Sequence, residues 1–405
     1  MSLELTATTG PGARLVALAE ALASEIGPRA AEHDRDGSFP FESFAAVKGR
    51  GYFAAPIPGE LGGLGVTSVH DVLVASSRLA RGDAALTLGV NMHFAFLLNV
   101  VRRWQIAVAS GDERRVEAFA STLERIARDG TVFAAAGSER GQDLTRPATV
   151  ATRTEGGWTV SGHKVFCTMA PAADVFYTAV TYTDDRGSER YGYAMVPRET
   201  LGVVVHEDWD ALGMRASGSH SVSFEDVQLP GAALRGGFPV GDAVEYMERN
   251  LVAGLFHASA ALGIAESAHA GTTAQLKRRG ELDPRSQMLA ADNVVDLSVC
   301  RSAFARAAAL IDEHHSHNPA EIGTPGELTA LFAEAQSAKL FIGQAAVRIV
   351  DRTLALSGGA GYLNGSPLAR AYRDVRATAF MHPLGANRAH AFLGQLAAGR
   401  RPSLH

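Results

Sequence analysis

The sequence predicts an α+β chain in three parts: an N-terminal all-helical domain (1–130), a central antiparallel β-barrel domain (131–235) and a C-terminal four-helix bundle (236–405). Three observations predict it. Near the start, ARLVALAEALASEIGPRAAEH places apolar residues at three- and four-residue spacing. From about residue 131 the pattern changes to alternation broken by tight-turn signals. From about residue 239 long Ala- and Leu-rich amphipathic stretches return.

Each part has its own punctuation. The first helical region runs from 12 to about 128. Phe39-Pro-Phe-Glu-Ser-Phe44 opens a short helix, and PIPGELGGLG (56–65) is a Gly/Pro-rich loop. In the central part, Thr149 to Thr154 alternates, Gly156-Gly157 signals a hairpin turn, and WTVSGHKVFCT follows as a strand. VFYTAVTYT (175–183) and RYGYAMVPR (190–198) flank a DDRGS turn, and SHSVSFEDVQLP (219–230) is a last alternating strand. The final helices break at RGELDPRS, HNPAEIGTPGE and SGGAGYLNGSP.

Composition excludes several classes. The chain has 405 residues, 46% apolar and 20% charged, with 38 basic against 43 acidic side chains for a formal charge of −5. No basic cluster suggests a nucleic-acid partner. Cys167 and Cys300 stand in no metal-ligand or redox spacing, so neither a disulfide scaffold nor a metal site is expected, and a reducing, cytoplasmic setting is. MSLELTATTGPGARL lacks the features of a signal peptide, and no continuous run of about 18 uncharged apolar residues predicts a membrane span.

Six stretches carry a further signal through their order and spacing: PIPGELGGLG (56–65), FAAAGSERGQD (133–143), SGHKVFCTMAPAAD (161–174), ALGMRASGSHSVSFEDVQLP (211–230), LGIAESA (262–268) and SGGAGYLNGSPLARAYRDVR (357–376). Together they resemble the acyl-CoA dehydrogenase superfamily over nearly the whole chain. That resemblance implies a flavin, FAD or FMN, between the β-domain and the C-terminal bundle, usually in a homotetramer. It places Phe166 and Thr168 over flavin N5, an atom that alternates between accepting and donating a hydrogen bond. It lays the strand carrying Phe133, Ala136 and Ser138 against the pyrimidine end, where backbone N–H groups stabilise charge on the reduced ring. Gly358 and Gly359 let the backbone approach the diphosphate or adenine side, and Arg278 corresponds to an arginine that reaches a neighbouring subunit's cofactor. Taken alone, Gly358, Gly359 and Gly361 could simply end one helix and begin another, and Thr168 could be an ordinary strand threonine.

The departures from the dehydrogenases concern the base. Those enzymes need a carboxylate to remove the proton α to a thioester. Nine residues after the Arg of Arg373-Asp374, where most of the family has that glutamate, this sequence has His382, followed by Pro383 and Leu384. The alternative position on an earlier helix falls on Ala253 and Gly254, and Glu248-Arg249 lies five residues too early. The usual Gln before the Gly-Gly pair is Ala355, and the Phe expected after Arg278-Arg279-Gly280 is missing.

This pattern is closer to the flavin monooxygenases that share the fold, including N-oxygenases of nucleotide-linked aminosugars. They tend to carry a histidine in the final segment and another on an early helix facing the flavin, here His382 and His93. The resemblance therefore implies a two-component, reduced-flavin-dependent monooxygenase with C4a-hydroperoxide chemistry, O2 as co-substrate and a partner reductase supplying the flavin. An imidazole suits proton handling near neutral pH. His93 has the alternative of being a packed helix histidine satisfied by a neighbour, and His220, His257 and His390 are expected at the surface or in packing. Two other readings stay open: an acyl-CoA dehydrogenase whose base is displaced, for example to Glu248, and a family member that binds a ligand without turnover.

Overall fold

The computed structural model describes residues 4–402 and 404, apart from Gln142. Six helices come first: α1 (Gly10–Ile26), α2 (Ala30–Asp36), α3 (Phe41–Gly49), α4 (Val69–Ala80), α5 (Ala84–Ser110) and α6 (Glu113–Asp129). Eight strands follow among the described residues: β1 (Phe133–Ala136), β2 (Val150–Thr154), β3 (Gly157–Cys167), β4 (Val175–Thr183), β5 (Glu189–Pro197), β6 (Val203–Val205), β7 (His220–Pro230) and β8 (Leu234–Pro239). The rest is helical: α7 (Ala243–Arg249), α8 (Ala253–Arg279), α9 (Pro284–His317), α10 (Pro325–Ser357), α11 (Gly359–Tyr362), α12 (Pro367–Asp374) and α13 (Ala386–Ala397).

Local chemistry sets the ends of the long helices. The Asp83 carboxylate accepts from the amides of Ala85 and Leu86 to start α5, and left-handed Gly111 ends it. Thr324 and Glu327 form a reciprocal capping box at α10, with Pro325 in the first turn.

The strands form one sheet in the order β6-β7-β3-β2-β4-β5-β8, with β1 joined to β4. This sheet is mixed, which corrects the expectation of a purely antiparallel domain. β1 runs parallel to β4 from Phe133↔Val175 to Ala136↔Thr178, and β2 meets β4 in parallel at Val150↔Thr181. The cause is an interruption in one strand path. β1 continues to a bridge between Ser138 and Val165 on β3, the chain leaves over 139–149, and β2 re-enters between β3 and β4. Both pieces point the same way, so both are parallel to β4.

The N- and C-terminal helices share one apolar core, in which Phe94 of α5, Phe256 of α8, Phe304 of α9 and Phe332 of α10 are all buried. The sheet holds a second cluster around Phe176, Phe224, Val160 and Cys167. A third joins α5 and α6 to β1 through Phe96, Leu97, Leu123 and Phe133. Two helical stretches, Ala84–Ser110 and Ala243–Arg278, are long and apolar enough to span a membrane, yet their apolar windows are 83% and 94% buried inside the protein. A helix apolar on all sides and covered by its own fold is a core helix.

Candidate functional site

Three chain segments converge where the sequence places the flavin. The first is the end of β1. Phe133 is buried and stacks on Phe96 at 4.2 Å, Ala136 is buried, and Ser138 accepts at its carbonyl from the Val165 amide at 2.9 Å. The second is the end of β3, where the register against β7 shifts between Lys164 and Cys167. This bulge turns Phe166 outward: it has a φ of 57° and is 63% exposed, edge-on to Trp209 at 6.0 Å. Cys167 points the other way into the sheet's core, and burial pushes its thiol up to about 12. The third segment is the loop 213–219. Its carbonyls at Ser217 and Gly218 accept from the amides of Met169 and Ala170, at 3.0 and 3.1 Å. The Thr168 hydroxyl, nearly buried, begins a short hydroxyl chain, 3.0 Å from Ser219 Oγ, which lies 2.7 Å from Ser217 Oγ.

That loop is held on the Arg373-Asp374 end of α12. The Asp374 carboxylate accepts from the Met214 amide at 2.6 Å, and burial pushes its pKa up to about 7. A Cβ on Gly213 would lie 2.3 Å from the Arg373 carbonyl oxygen, so only glycine allows this approach. Arg373 also pairs with Asp34 of α2.

Beyond α12 the chain reaches His382, a partly exposed residue whose Nε2 lies 3.0 Å from Asn250 Oδ1 and 3.2 Å from Tyr246 Oη. These contacts fix the tautomer. Asn250 Nδ2 donates to the Tyr246 carbonyl at 2.9 Å, so its oxygen must face the ring. The Tyr246 hydroxyl donates to the Pro383 carbonyl at 3.3 Å. His382 Nε2 therefore carries the proton, and Nδ1, without a partner among the described residues, is the acceptor. Burial, reinforced by Lys339 and Arg388, pushes the imidazole down to about 3, so it is neutral at pH 7.

The other predicted residues divide. His93 does not present a free nitrogen: it is fully buried on α5, Nδ1 accepts from the Phe133 amide at 3.1 Å and Nε2 donates to the Phe53 carbonyl at 3.0 Å. Its environment is the packed-histidine alternative, with burial pushing it down to about 4. Its contact with the predicted site residues runs through the Phe133 amide of β1. Glu248, the displaced-base candidate, is buried in an ion pair with Arg103 of α5. It lines a small cleft with Asn99, Arg102 and His315, on the side of α7 away from Tyr246 and Asn250. Arg278 is exposed near the C-terminal end of α8, roughly 30 Å along the helix from His257 near its start. Gly358 and Gly359 follow α10, and a Cβ on either would meet open space within this chain. Tyr246, Asn250, Ser219 and Lys339 were not singled out from the sequence. The four-residue spacing of Tyr246 and Asn250 on one helix face is the signal that could have found the first two.

Family models agree with this layout. The N-terminal, middle and C-terminal domains of acyl-CoA dehydrogenase match residues 15–104, 132–227 and 255–383. The chain belongs to the acyl-CoA dehydrogenase family. Within it, two full-length relatives are amino sugar nitrososynthases. RubN8 of Streptomyces rubradiris is 32% identical over 93% of this chain and 88% of its own, and DnmZ of Streptomyces peucetius is 32% identical over 97% and 95%. The crystal structure of KijD3 in complex with FMN and dTDP-3-amino-2,3,6-trideoxy-4-keto-3-methyl-D-glucose superimposes with a TM-score of 0.89 at 31% identity, covering 98% of this chain and 97% of that one. The chain is thus a flavin-dependent oxidoreductase on the monooxygenase side of the family.

Proposed function

We propose that this chain is the oxygenase of a two-component flavin system and oxidises the amino nitrogen of a nucleotide-linked sugar. The observation that carries the reading is the full-length likeness to nitrososynthases, in a chain whose base position holds a neutral imidazole and no carboxylate. The residues present fit a flavin. Phe166 exposes an apolar face beside a nearly buried hydroxyl chain that starts at Thr168, matching a planar ring with a polar nitrogen edge. Phe166, Thr168 and the backbone of 133–138 would hold the ring, which supplies electrons to O2 when bound. FMN is favoured over FAD because the KijD3 structure that superimposes over 98% of this chain is a complex with FMN. Assembly as a homotetramer, a separate flavin reductase as partner and a four-helix arrangement of the C-terminal region belong to the same proposal.

The chain's own part in the chemistry falls to His382. Its Nδ1 lone pair can accept a hydrogen bond from an amine N–H and orient the nitrogen toward the oxygen it gains, while Nε2 stays tied to Asn250; an imidazole pushed down to about 3 orients the amine and is too weak a base to keep its proton. Glu248 cannot take that place while Arg103 holds it.

The test is reconstitution with FMN, a flavin reductase, NADH and O2, using the dTDP-linked aminosugar of the KijD3 complex as probe. The expected result is a hydroxylamino or nitroso sugar that forms only when the reductase is present. Anaerobic bleaching of the oxidised flavin by any acyl-CoA would overturn the reading in favour of a dehydrogenase.

A further inference from the structure

The segment that carries His382 is held by a single buried cation. Lys339 of α10 is 4% exposed, and its Nζ donates to the carbonyls of Met381 at 2.5 Å, His382 at 3.2 Å and Leu384 at 2.8 Å. An ammonium has three donors, and all three are used on one short stretch of chain. The remaining carbonyl, that of Pro383, accepts from Tyr246. Four consecutive carbonyls are therefore fixed, three by Lys339 and one by the same tyrosine that touches the His382 ring.

The arrangement is costly to maintain. Among the described residues no carboxylate lies within ion-pair distance of Lys339, and a buried ammonium without one is strongly disfavoured unless its hydrogen bonds are complete. The backbone of α8 has been cut away to admit it: a Cβ on Gly254 would lie 3.0 Å from Gln336 Nε2, 3.4 Å from Lys339 Cδ and 3.6 Å from Pro383 Cδ. Two other buried polar groups nearby, His257 on α8 and Gln336 one turn before Lys339, have no partner for their ring nitrogens or amide atoms. The interior here gives the lysine backbone carbonyls and no compensating charge.

We propose that Lys339 is the positioning residue of the site: its ammonium fixes the backbone of residues 381–384 so that His382 presents Nδ1 in one orientation. The role rests on the reading of His382 given above. It requires the charged form, since a neutral amine has one donor fewer and turns a lone pair toward the carbonyls. Burial brings Lys339 down to about 7. The titratable groups around it are neutral there: His257 and His382 are pushed far down and Tyr246 well up, all chiefly by burial, with Arg388 of α13 the next charge.

The experiment compares wild type, Lys339→Met, Lys339→Arg and His382→Ala as FMN-loaded full chains. Hydrogen exchange is read over residues 380–386, and kcat with the dTDP-linked aminosugar of the KijD3 complex. Lys339→Met is expected to speed exchange in this segment at least about tenfold and to lower kcat by a similar factor, with the FMN Kd within about threefold. Lys339→Arg, still a cation, should recover most of both. Unchanged exchange in Lys339→Met overturns the proposal. So does faster exchange with unchanged kcat where His382→Ala lowers it, which leaves Lys339 a structural role only. If His382→Ala itself leaves kcat untouched, the functional reading has failed and the exchange result alone decides the clamp. Should Lys339→Met not fold, wild type answers: exchange in the segment, corrected for intrinsic rates, must rise with a midpoint near pH 7 as the ammonium is lost. A flat profile sinks the idea.

Discussion

At the scale of single residues, the protonation of His382 decides what the site can do. Its imidazole sits down to about 3, so it stays neutral through the whole physiological range and offers one lone pair at Nδ1. The pH–rate profile should therefore carry no limb near 6.5 from this group. A loss of activity as pH falls through about 6.5 would sink the assignment; a loss as pH rises through about 7 belongs to Lys339. His382→Ala should reduce product formation at least about tenfold while leaving flavin binding intact, as expected for a group that orients the amine nitrogen in the transition state. His382→Glu should not create an acyl-CoA dehydrogenase, because the new carboxylate would face the Asn250 oxygen, which can only accept. Bleaching of that variant's flavin by an acyl-CoA would show that the pocket had kept the older chemistry. His382 was legible in the sequence because counting from Arg373 reaches it. Its partners were not. Asn250, Tyr246 and Lys339 lie on two other helices; spacing alone puts Tyr246 and Asn250 on one face, but nothing local says which distant segment that face meets.

Among elements, the informative case is the interrupted strand of β1 and β2. The excursion between them returns Glu139 to the interior, where it pairs with fully buried Lys164 of β3 at 2.6 Å and accepts from the amides of Ala148 and Thr149 at 2.6 and 2.8 Å. Burial alone would raise the Glu139 pKa, but Lys164 and these hydrogen bonds outweigh it and hold the carboxyl below its usual range. Glu139→Ala should therefore destabilise the protein by about 3–5 kcal/mol, since Lys164 would be left as an uncompensated buried charge. Replacing Lys164 by Met in the same chain should return much of that loss. Thermal unfolding of the single and double variants measures both, and equal melting temperatures for wild type and Glu139→Ala would refute the account. Strands β3 and β4 were readable because buried positions alternate with less buried ones along much of their length; β2, β5 and β7 were marked by the turn signals and β-branched or aromatic residues around them. FAAA at β1, VVV at β6 and LRGGFP at β8 lack that alternation. Parallel pairing of β1 with β4 was out of reach, because register between distant strands is set by what fills the gap, not by either strand's own pattern.

For the whole molecule, four histidines, two fully buried (His93 and His257) and two partly exposed (His315 and His382), link stability to pH. Burial is the leading cause in each: His93 falls to about 4, His315 and His382 to about 3, and His257 well below its ordinary value. All four are neutral in the folded state, whereas in the unfolded chain they take up protons near pH 6.5. The unfolded state thus binds more protons below that point, and stability must fall as pH drops from about 6.5 toward 4. With four such groups the slope approaches roughly 5 kcal/mol per pH unit near pH 5, before carboxylates add their own share. Denaturant midpoints at pH 7.5, 6.0 and 5.0 measure it. His257 isolates the cause, because both of its ring nitrogens lack partners and its charge has nothing to pair with. His257→Leu should leave stability at pH 7.5 unchanged or slightly higher, since it removes two buried polar atoms that have no partner. It should also make the acid slope shallower by about 1.4 kcal/mol per pH unit, the share of one proton. A slope identical to wild type would mean that His257 is hydrated or partnered in solution, and that the acid sensitivity has another source.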